Sequence, residues 1–327
     1  MKRVIYTCPY VPAEWIAAHG LHPSRIMPNA HSIKYSYVPI EGVCPYLRAF
    51  VNEAAADTSA VIFTTVCDQM RRGFDIISQR CKKPAFLMNV PKTWQNVNSH
   101  KLYIDELKRL GRFLVEIGGR TPSKTVLIDM MIRYDSIRAS IRSARGCSNP
   151  RRYSEMIAEF NYNDPFNISD YDQIPFSLNG KERLAILGGP LLREDFEIFD
   201  VIEHAGGQIV LDATETGERG ICARFDRQRM RENPMLELSD AYFGHIPDAF
   251  RRPNSQLYNW LKEELPSRSV QGIIYRRYIW CDTWHAELAR LRQWTALPVL
   301  DIDVNGDGQT MPAQMTKRIY AFLETLQ

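Results

Sequence analysis

Three cysteines of this 327-residue chain lie where the sequence predicts a strand to end or a helix to begin. Cys67 follows an apolar, β-branched run and precedes an amphipathic segment, and Cys281 occupies the same kind of junction near the end of the chain. Cys44 is followed directly by a proline, which suits the first turn of a helix. Because a helix N-terminus favours the anionic thiolate, all three are candidate metal ligands. If they converge, they provide three ligands for an iron–sulfur cubane and leave one iron open for redox or Lewis-acid chemistry.

The segments around these cysteines predict an α/β protein. A strand that feeds a helix through a tight turn ends at the carboxyl edge of its sheet, where open α/β folds bind ligands. The Cys-Asp junctions at Cys67 and Cys281 suggest a pseudo-duplication. Apolar periodicity predicts two long helices within 101–145, and residues 181–211 form a complete β-α-β pattern, which indicates a parallel sheet.

These elements predict two domains. We expect two doubly wound, flavodoxin- or Rossmann-like parallel-sheet domains that face a cluster-binding cleft. The first spans 1–165 and carries Cys44 and Cys67, and the second spans 166–327 and carries Cys281. The polar, aromatic-rich stretch 151–179 is interpreted as a crossover between them.

Composition excludes several classes of protein. The net charge of +3 is small for this length, so no polyanion or nucleic-acid partner is predicted. The pairs Arg251-Arg252 and Arg276-Arg277 are interpreted as solvated or local. No apolar run approaches the roughly 20 residues that span a bilayer, and the first residues do not resemble a signal peptide, so we expect a cytoplasmic protein. An odd count of seven cysteines argues against a disulfide framework and for metal or redox use.

Each motif also has a simpler explanation. The chain contains no C-x-x-C, and cysteine is a common small core residue, so the pattern alone leaves a structural role open for each thiol. Glu14 is a candidate catalytic residue that orients or protonates substrate, or an exposed first-turn glutamate that favours the helix dipole. The turn Gly188-Gly189-Pro190 either cradles a phosphate or simply satisfies turn geometry.

Several stretches of the chain, in order from end to end, resemble one known family. CPYVPAEWIAAHG (8–20) is similar to the opening element of the 2-hydroxyacyl-CoA dehydratase and benzoyl-CoA reductase family, and GVCPYLR (42–48) is similar to the segment with its first cluster cysteine. CDQMRR (67–72) resembles the family motif "CD-x-x-R-R", and WCD (280–282) resembles its motif "F-C-D". TKRIYAFLE (316–324) is similar to the C-terminal motif of the family.

The resemblance implies a catalytic subunit with a [4Fe–4S] cluster held by Cys44, Cys67 and Cys281. It also implies an acyl-CoA substrate, pairing with a related partner subunit or as a homodimer, and an ATP-dependent iron–sulfur activator protein that delivers one electron. The cluster of such enzymes passes the electron to the acyl-CoA thioester; dehydratases then expel a hydroxyl group, and reductases reduce an aryl ring. Cys8 is either a further ligand or a buried free thiol.

Two alternatives from other classes remain at this stage. In the first alternative, the chain is a non-catalytic subunit that carries a cluster and relays electrons. In the second, it is a zinc-binding structural relative, which requires thiolate sulfurs about 3.8 Å apart around one ion. The cysteines outside the matched motifs, Cys81, Cys147 and Cys222, are predicted to be structural.

Overall fold

Two four-stranded parallel sheets organise the chain. The computed structural model describes residues 2–30, 42–57, 60–146, 149–162, 181–305 and 312–326. The first sheet has the order β2-β1-β3-β4, with β1 (Arg3–Tyr6), β2 (His22–Arg25), β3 (Ala60–Thr64) and β4 (Ala85–Met88). The second has the order β6-β5-β7-β8, with β5 (Glu182–Gly188), β6 (Gly207–Ala213), β7 (Gly272–Tyr278) and β8 (Val299–Val304). The predicted pair of doubly wound parallel sheets is confirmed.

The described helices are α1 (Ala13–Ala18), α2 (Pro45–Ala56), α3 (Asp68–Asp75), α4 (Val97–Glu116), α5 (Lys124–Ser143), α6 (Pro150–Tyr162), α7 (Glu197–His204), α8 (Arg227–Glu232), α9 (Pro234–Ser239), α10 (Ser255–Ser267), α11 (Asp282–Trp294) and α12 (Ala313–Glu324). Side chains at the N-caps fix the starts of the two long helices, because Asn96 accepts a hydrogen bond from Ser99 N at 2.8 Å and Ser123 accepts one from Val126 N at 3.2 Å. Within the described ranges, every helix falls short of the length and apolar character that crossing a bilayer requires.

The two sheets repeat one topology. In each, the first strand lies between the second and the third, so β1–β3 and β5–β7 are the central pairs. The strand order reverses at these pairs, which is the position where open α/β sheets bind ligands. Cys67 follows β3, and Cys281 follows β7, the equivalent strand of the other sheet. The repeated Cys-Asp junctions therefore occupy matching places in a duplicated fold.

Burial on both faces explains the apolar runs of the central strands. All five residues of β3 and all seven of β7 are buried, as expected for parallel strands covered by helices on both sides. At the end of β5, a Cβ on Gly188 would lie 1.9 Å from the carbonyl oxygen of Arg276 on β7. The close approach of these two strands accounts for this glycine without a phosphate.

The predicted crossover over 151–179 begins with a helix that the sequence analysis did not single out. Residues 150–162 form α6, because Tyr153, Ile157 and Phe160 supply an apolar face that packs against Tyr134 and Ile141 of α5. The helical spacing of these residues was a signal that the polar composition concealed. Residues 163–179, and with them the predicted domain boundary at 165, lie outside the described residues.

Candidate metal centre

The three predicted cysteines occupy the N-caps of three helices. Cys44 caps α2, Cys67 caps α3 and Cys281 caps α11. A strand positions two of them, since β3 ends three residues before Cys67 and β7 ends three residues before Cys281. The local structure predicted for each cysteine is confirmed.

All three cysteines line one cavity between the sheets. This cysteine cavity has a volume of about 80 Å³. Its lining includes the predicted ligands Cys44, Cys67 and Cys281 and the further residues Thr7, Cys8, Pro9, Tyr10, Tyr46, Thr64, Val66, Met70, Pro190, Glu215, Asp248, Phe250, Tyr278, Thr283 and Trp284. The cavity therefore lies beyond the carboxyl ends of the central strands of both sheets, as the strand order predicts.

Burial changes the electrostatics expected of these thiols. Burial raises the pKa of Cys44, Cys67 and Cys281, and it raises that of Cys67 to about 12. Backbone N–H groups at the helix starts lower these pKa values, but by less than burial raises them. The negative charge of Cys44 also raises the pKa of Cys67 and of Cys281. Without a metal the thiols are therefore protonated, contrary to the expectation from the helix dipole alone, and a cationic metal would have to displace the protons.

A buried ion pair contacts Tyr278, one of the residues that line the cavity. Arg276 is 2% exposed and pairs with Asp195, and the Tyr278 hydroxyl donates to Asp195 Oδ2 at 2.6 Å. The Arg276 charge lowers the pKa of Cys44, against the larger effect of burial. The interpretation of the arginine pairs as solvated is thus wrong for Arg276, and also for Arg277 and Arg251, which are buried; their place on a central strand or in the core overrides the sequence-level charge pattern.

Two carboxylates in the cavity were not singled out from the sequence. Glu215 follows β6, and Asp248 precedes Phe250, whose N–H donates to Asp248 Oδ1 at 2.9 Å. Burial raises the pKa of Glu215 to about 7; Asp248 acts in the same direction, whereas Arg25 and Arg219 oppose it. The position of Glu215 at the carboxyl end of a strand was the only sequence signal that pointed to it.

Glu14 lies away from this cavity, buried in an ion pair. Its side chain is 0% exposed, Oε1 pairs with Arg138 Nη1 at 2.6 Å, and Oε2 accepts a hydrogen bond from the Tyr242 hydroxyl at 2.6 Å. The expectation of an exposed first-turn glutamate is wrong, because α1 packs against α5, which carries Arg138. A direct role for Glu14 on substrate stays a prediction, and the structure gives this carboxylate a partner on either side.

The remaining cysteines separate into three groups. Cys8 is buried and lines the cysteine cavity. Cys222 is buried in the apolar core, and Cys81 is partly buried beside another part of that core. Cys147 lies outside the described residues.

The cysteine cavity offers thiols from three helix starts to a metal group. Among the residues that the structure describes, no three His, Cys, Asp or Glu side chains are grouped closely enough to hold a single metal ion. The zinc alternative requires four donors at about 2.3 Å from one centre. A cluster, in contrast, places several irons between its cysteine sulfurs, and thiols that surround a cavity at three helix starts suit that geometry.

A larger cavity lies elsewhere and contains none of the predicted site residues. Its volume is about 300 Å³, and it opens beside β6 and α6. Three of its charged groups pair with each other, since Glu218 binds both Arg145 and Arg268. The candidate metal ligands lie in the smaller cavity, so size alone does not select between the two cavities.

Comparison with protein families agrees with the resemblance noted in the sequence. The family described as 2-hydroxyglutaryl-CoA dehydratase, D-component, matches residues 8–326. A search of curated proteins gave no significant match. The matched range covers both sheets and every residue that lines the cysteine cavity except Thr7. The chain therefore belongs to the 2-hydroxyglutaryl-CoA dehydratase D-component family.

Proposed function

We propose that this chain is the iron–sulfur subunit of a 2-hydroxyacyl-CoA dehydratase or of a benzoyl-CoA-reductase-like enzyme. In this proposal Cys44, Cys67 and Cys281 hold a [4Fe–4S] cluster. The observation that carries it is the convergence of these three cysteines, from two sheets and three helix starts, on one cavity in a chain of the D-component family.

The chemistry assigned to the bound cluster is transfer of one electron to the thioester of an acyl-CoA, with one iron open as a Lewis acid. The residues of the chain supply the environment. Three helix N-termini direct N–H groups towards the sulfurs, which stabilises their anionic form once metal is bound. The apolar and aromatic side chains of Val66, Phe250 and Trp284 line the cavity and limit access of water to it.

The proposal includes partners that the family membership suggests. We infer an acyl-CoA substrate, a related partner subunit or a second copy of the chain, and an ATP-dependent iron–sulfur activator that delivers the electron. The support is the family match over nearly the whole chain. The acyl group, and the choice between dehydration and ring reduction, need direct assay.

The first test is the metal content of protein purified without oxygen. We expect about four iron and four acid-labile sulfide per chain, with a brown chromophore. Acyl-CoA turnover that requires both a reduced activator and ATP then supports catalysis. A loaded cluster without acyl-CoA binding would instead support the electron-relay alternative, and protein that takes up zinc but no iron during anaerobic reconstitution would refute the redox mechanism.

A further inference from the structure

The cysteine cavity contains one charged side chain without a partner. The Glu215 side chain lines the cavity, and within the described part of the chain it forms neither a hydrogen bond nor an ion pair. Asp248, the neighbouring carboxylate, is already engaged, because Arg219 pairs with its Oδ2 and the Phe250 N–H donates to its Oδ1. A carboxylate placed in a partly enclosed cavity without a partner carries a desolvation cost that a cation in the cavity would offset.

The loop that carries Glu215 is rigidly built. Asp212 accepts hydrogen bonds from the N–H and the hydroxyl of Thr214, and the Thr214 hydroxyl in turn accepts the N–H of Gly217. The Thr216 hydroxyl accepts the N–H of Leu191. These contacts fix the backbone on both sides of Glu215, so its side chain is held at the cavity by the loop and not by bonds of its own.

Two buried arginines hold the same loop through its backbone. Arg25 donates to the carbonyl oxygens of Glu215 at 2.6 Å and of Gly220 at 3.2 Å. Arg219 donates to the carbonyls of Ala213 and Gly188 and pairs with Asp248. Both guanidinium groups thus lower the cost of a negative charge at Glu215, yet neither binds its carboxylate, which stays available to another cation.

The Glu215 carboxylate lies near the sulfurs that line the cavity. Burial is the main reason for the raised pKa of Cys8, Cys67 and Cys281, and the negative charge of Glu215 acts in the same direction on all three. Glu215 also lines the same cavity as Cys44 and these three cysteines, which makes its carboxylate a candidate donor beside them. A cubane with three cysteine ligands has one iron without a protein sulfur, and a carboxylate oxygen is a suitable donor for iron.

We propose that Glu215 supplies an oxygen ligand to the iron that Cys44, Cys67 and Cys281 leave open, and that an incoming ligand must displace it. This inference rests on the proposed function, since it needs the cluster. Cys8 is the competing donor, since it lines the same cavity and its side chain is 5% exposed. Substitution of each residue in turn distinguishes the two donors.

The test compares Glu215→Gln with Cys8→Ala in ⁵⁷Fe-loaded protein. In wild-type protein we expect Mössbauer spectra with one iron distinct from three, and Glu215→Gln should shift that iron while cluster content stays the same. Cyanide, a small ligand for an open iron, should bind Glu215→Gln about tenfold more tightly than wild type, because it no longer competes with the carboxylate. Cys8→Ala should leave both the spectrum and cyanide binding unchanged.

The outcomes separate this inference from the proposed function. Wild-type protein that cannot be loaded with a cluster refutes both. A loaded Glu215→Gln protein with wild-type spectra and wild-type cyanide affinity refutes the ligand assignment alone, as does a shift caused by Cys8→Ala instead. If Glu215→Gln retains no cluster, the Mössbauer spectrum of Glu215→Cys provides the test. Four equivalent sulfur-ligated irons in that variant support the assignment. A persistent distinct iron, or loss of the cluster from Glu215→Cys as well, overturns it.

Discussion

At the scale of single residues, position in the fold distinguishes the cysteines from one another. Cys44, Cys67 and Cys281 each cap a helix at one cavity, whereas Cys81 does not line that cavity and packs against the core of the first sheet. The Cys-Asp motif predicted the positions of Cys67 and Cys281, because the residues after a central strand depend on local sequence. Their convergence depends on how two sheets face each other, which no local pattern encodes.

Substitution of any one ligand should abolish cluster retention. Cys44→Ala, Cys67→Ala and Cys281→Ala each remove one of three sulfurs, so we expect iron content to fall to background after purification without oxygen. Cys81→Ala is the matched control, since that thiol is also partly buried but lies outside the cavity. Full iron content in one of the first three variants would remove that residue from the ligand set.

Glu14 should matter first for stability. Glu14→Gln leaves Arg138 charged and buried opposite a neutral amide, and breaking a buried ion pair in this way costs about 3–5 kcal/mol. Urea denaturation should therefore show a much lower midpoint. Asp105→Asn, which breaks the exposed pair with Lys108 on α4, should change the midpoint little. A Glu14→Gln protein as stable as wild type would contradict this structural role and return attention to a role on substrate.

At the scale of elements, sequence patterns predicted most of the strands and helices near the site. Apolar runs predicted β3 and β7, and the proline after Cys44 predicted the start of α2. Arg276 and Arg277 were misread because β7 continues through them while buried, and their charges are met by aspartates from other elements. Long-range partners of this kind, like the Arg25 contacts that fix the Glu215 loop, have no local signature.

The end of α1 makes the stability of the protein depend on pH. His19 is buried, its Nδ1–H donates to the Trp15 carbonyl at 2.7 Å, and burial lowers its pKa. The folded state holds this imidazole neutral. Its contribution to the free energy of unfolding is therefore complete above pH about 6.5 and is lost as the pH falls below that value. We expect His19→Gln to reduce the loss of unfolding free energy between pH 7.5 and 5.5 in cluster-free protein, measured by urea denaturation.

His204 provides a matched control for this effect. Its Nδ1 makes the same bond to a carbonyl four residues earlier, that of Asp200, at 2.6 Å, but the side chain is exposed. His204→Gln should therefore leave the pH dependence as in wild type. Equal pH profiles for wild type and His19→Gln would show that His19 is not held neutral by burial.

At the scale of the whole molecule, the second half of the chain completes the core of the first sheet. Residues 222–250 contribute apolar side chains to the cluster that also contains Val4 of β1. Phe243 stacks on Tyr103 of α4 with ring centroids 4.9 Å apart, and the Tyr10 hydroxyl donates to the Ile246 carbonyl at 3.1 Å. The same segment supplies Asp248 and Phe250 to the cysteine cavity, so core and site are built from both halves together.

This shared core predicts that the halves 1–165 and 166–327 do not fold separately. Expressed alone, the first half lacks the apolar cover that 222–250 provides, and the second exposes that segment to water, which favours aggregation. We expect each half alone to lack a cooperative urea transition and to bind a hydrophobic dye, while the two halves expressed together should associate and regain the transition. A cooperative transition in either isolated half would show instead that the duplicated fold still contains two independent units, with 222–250 only docked between them.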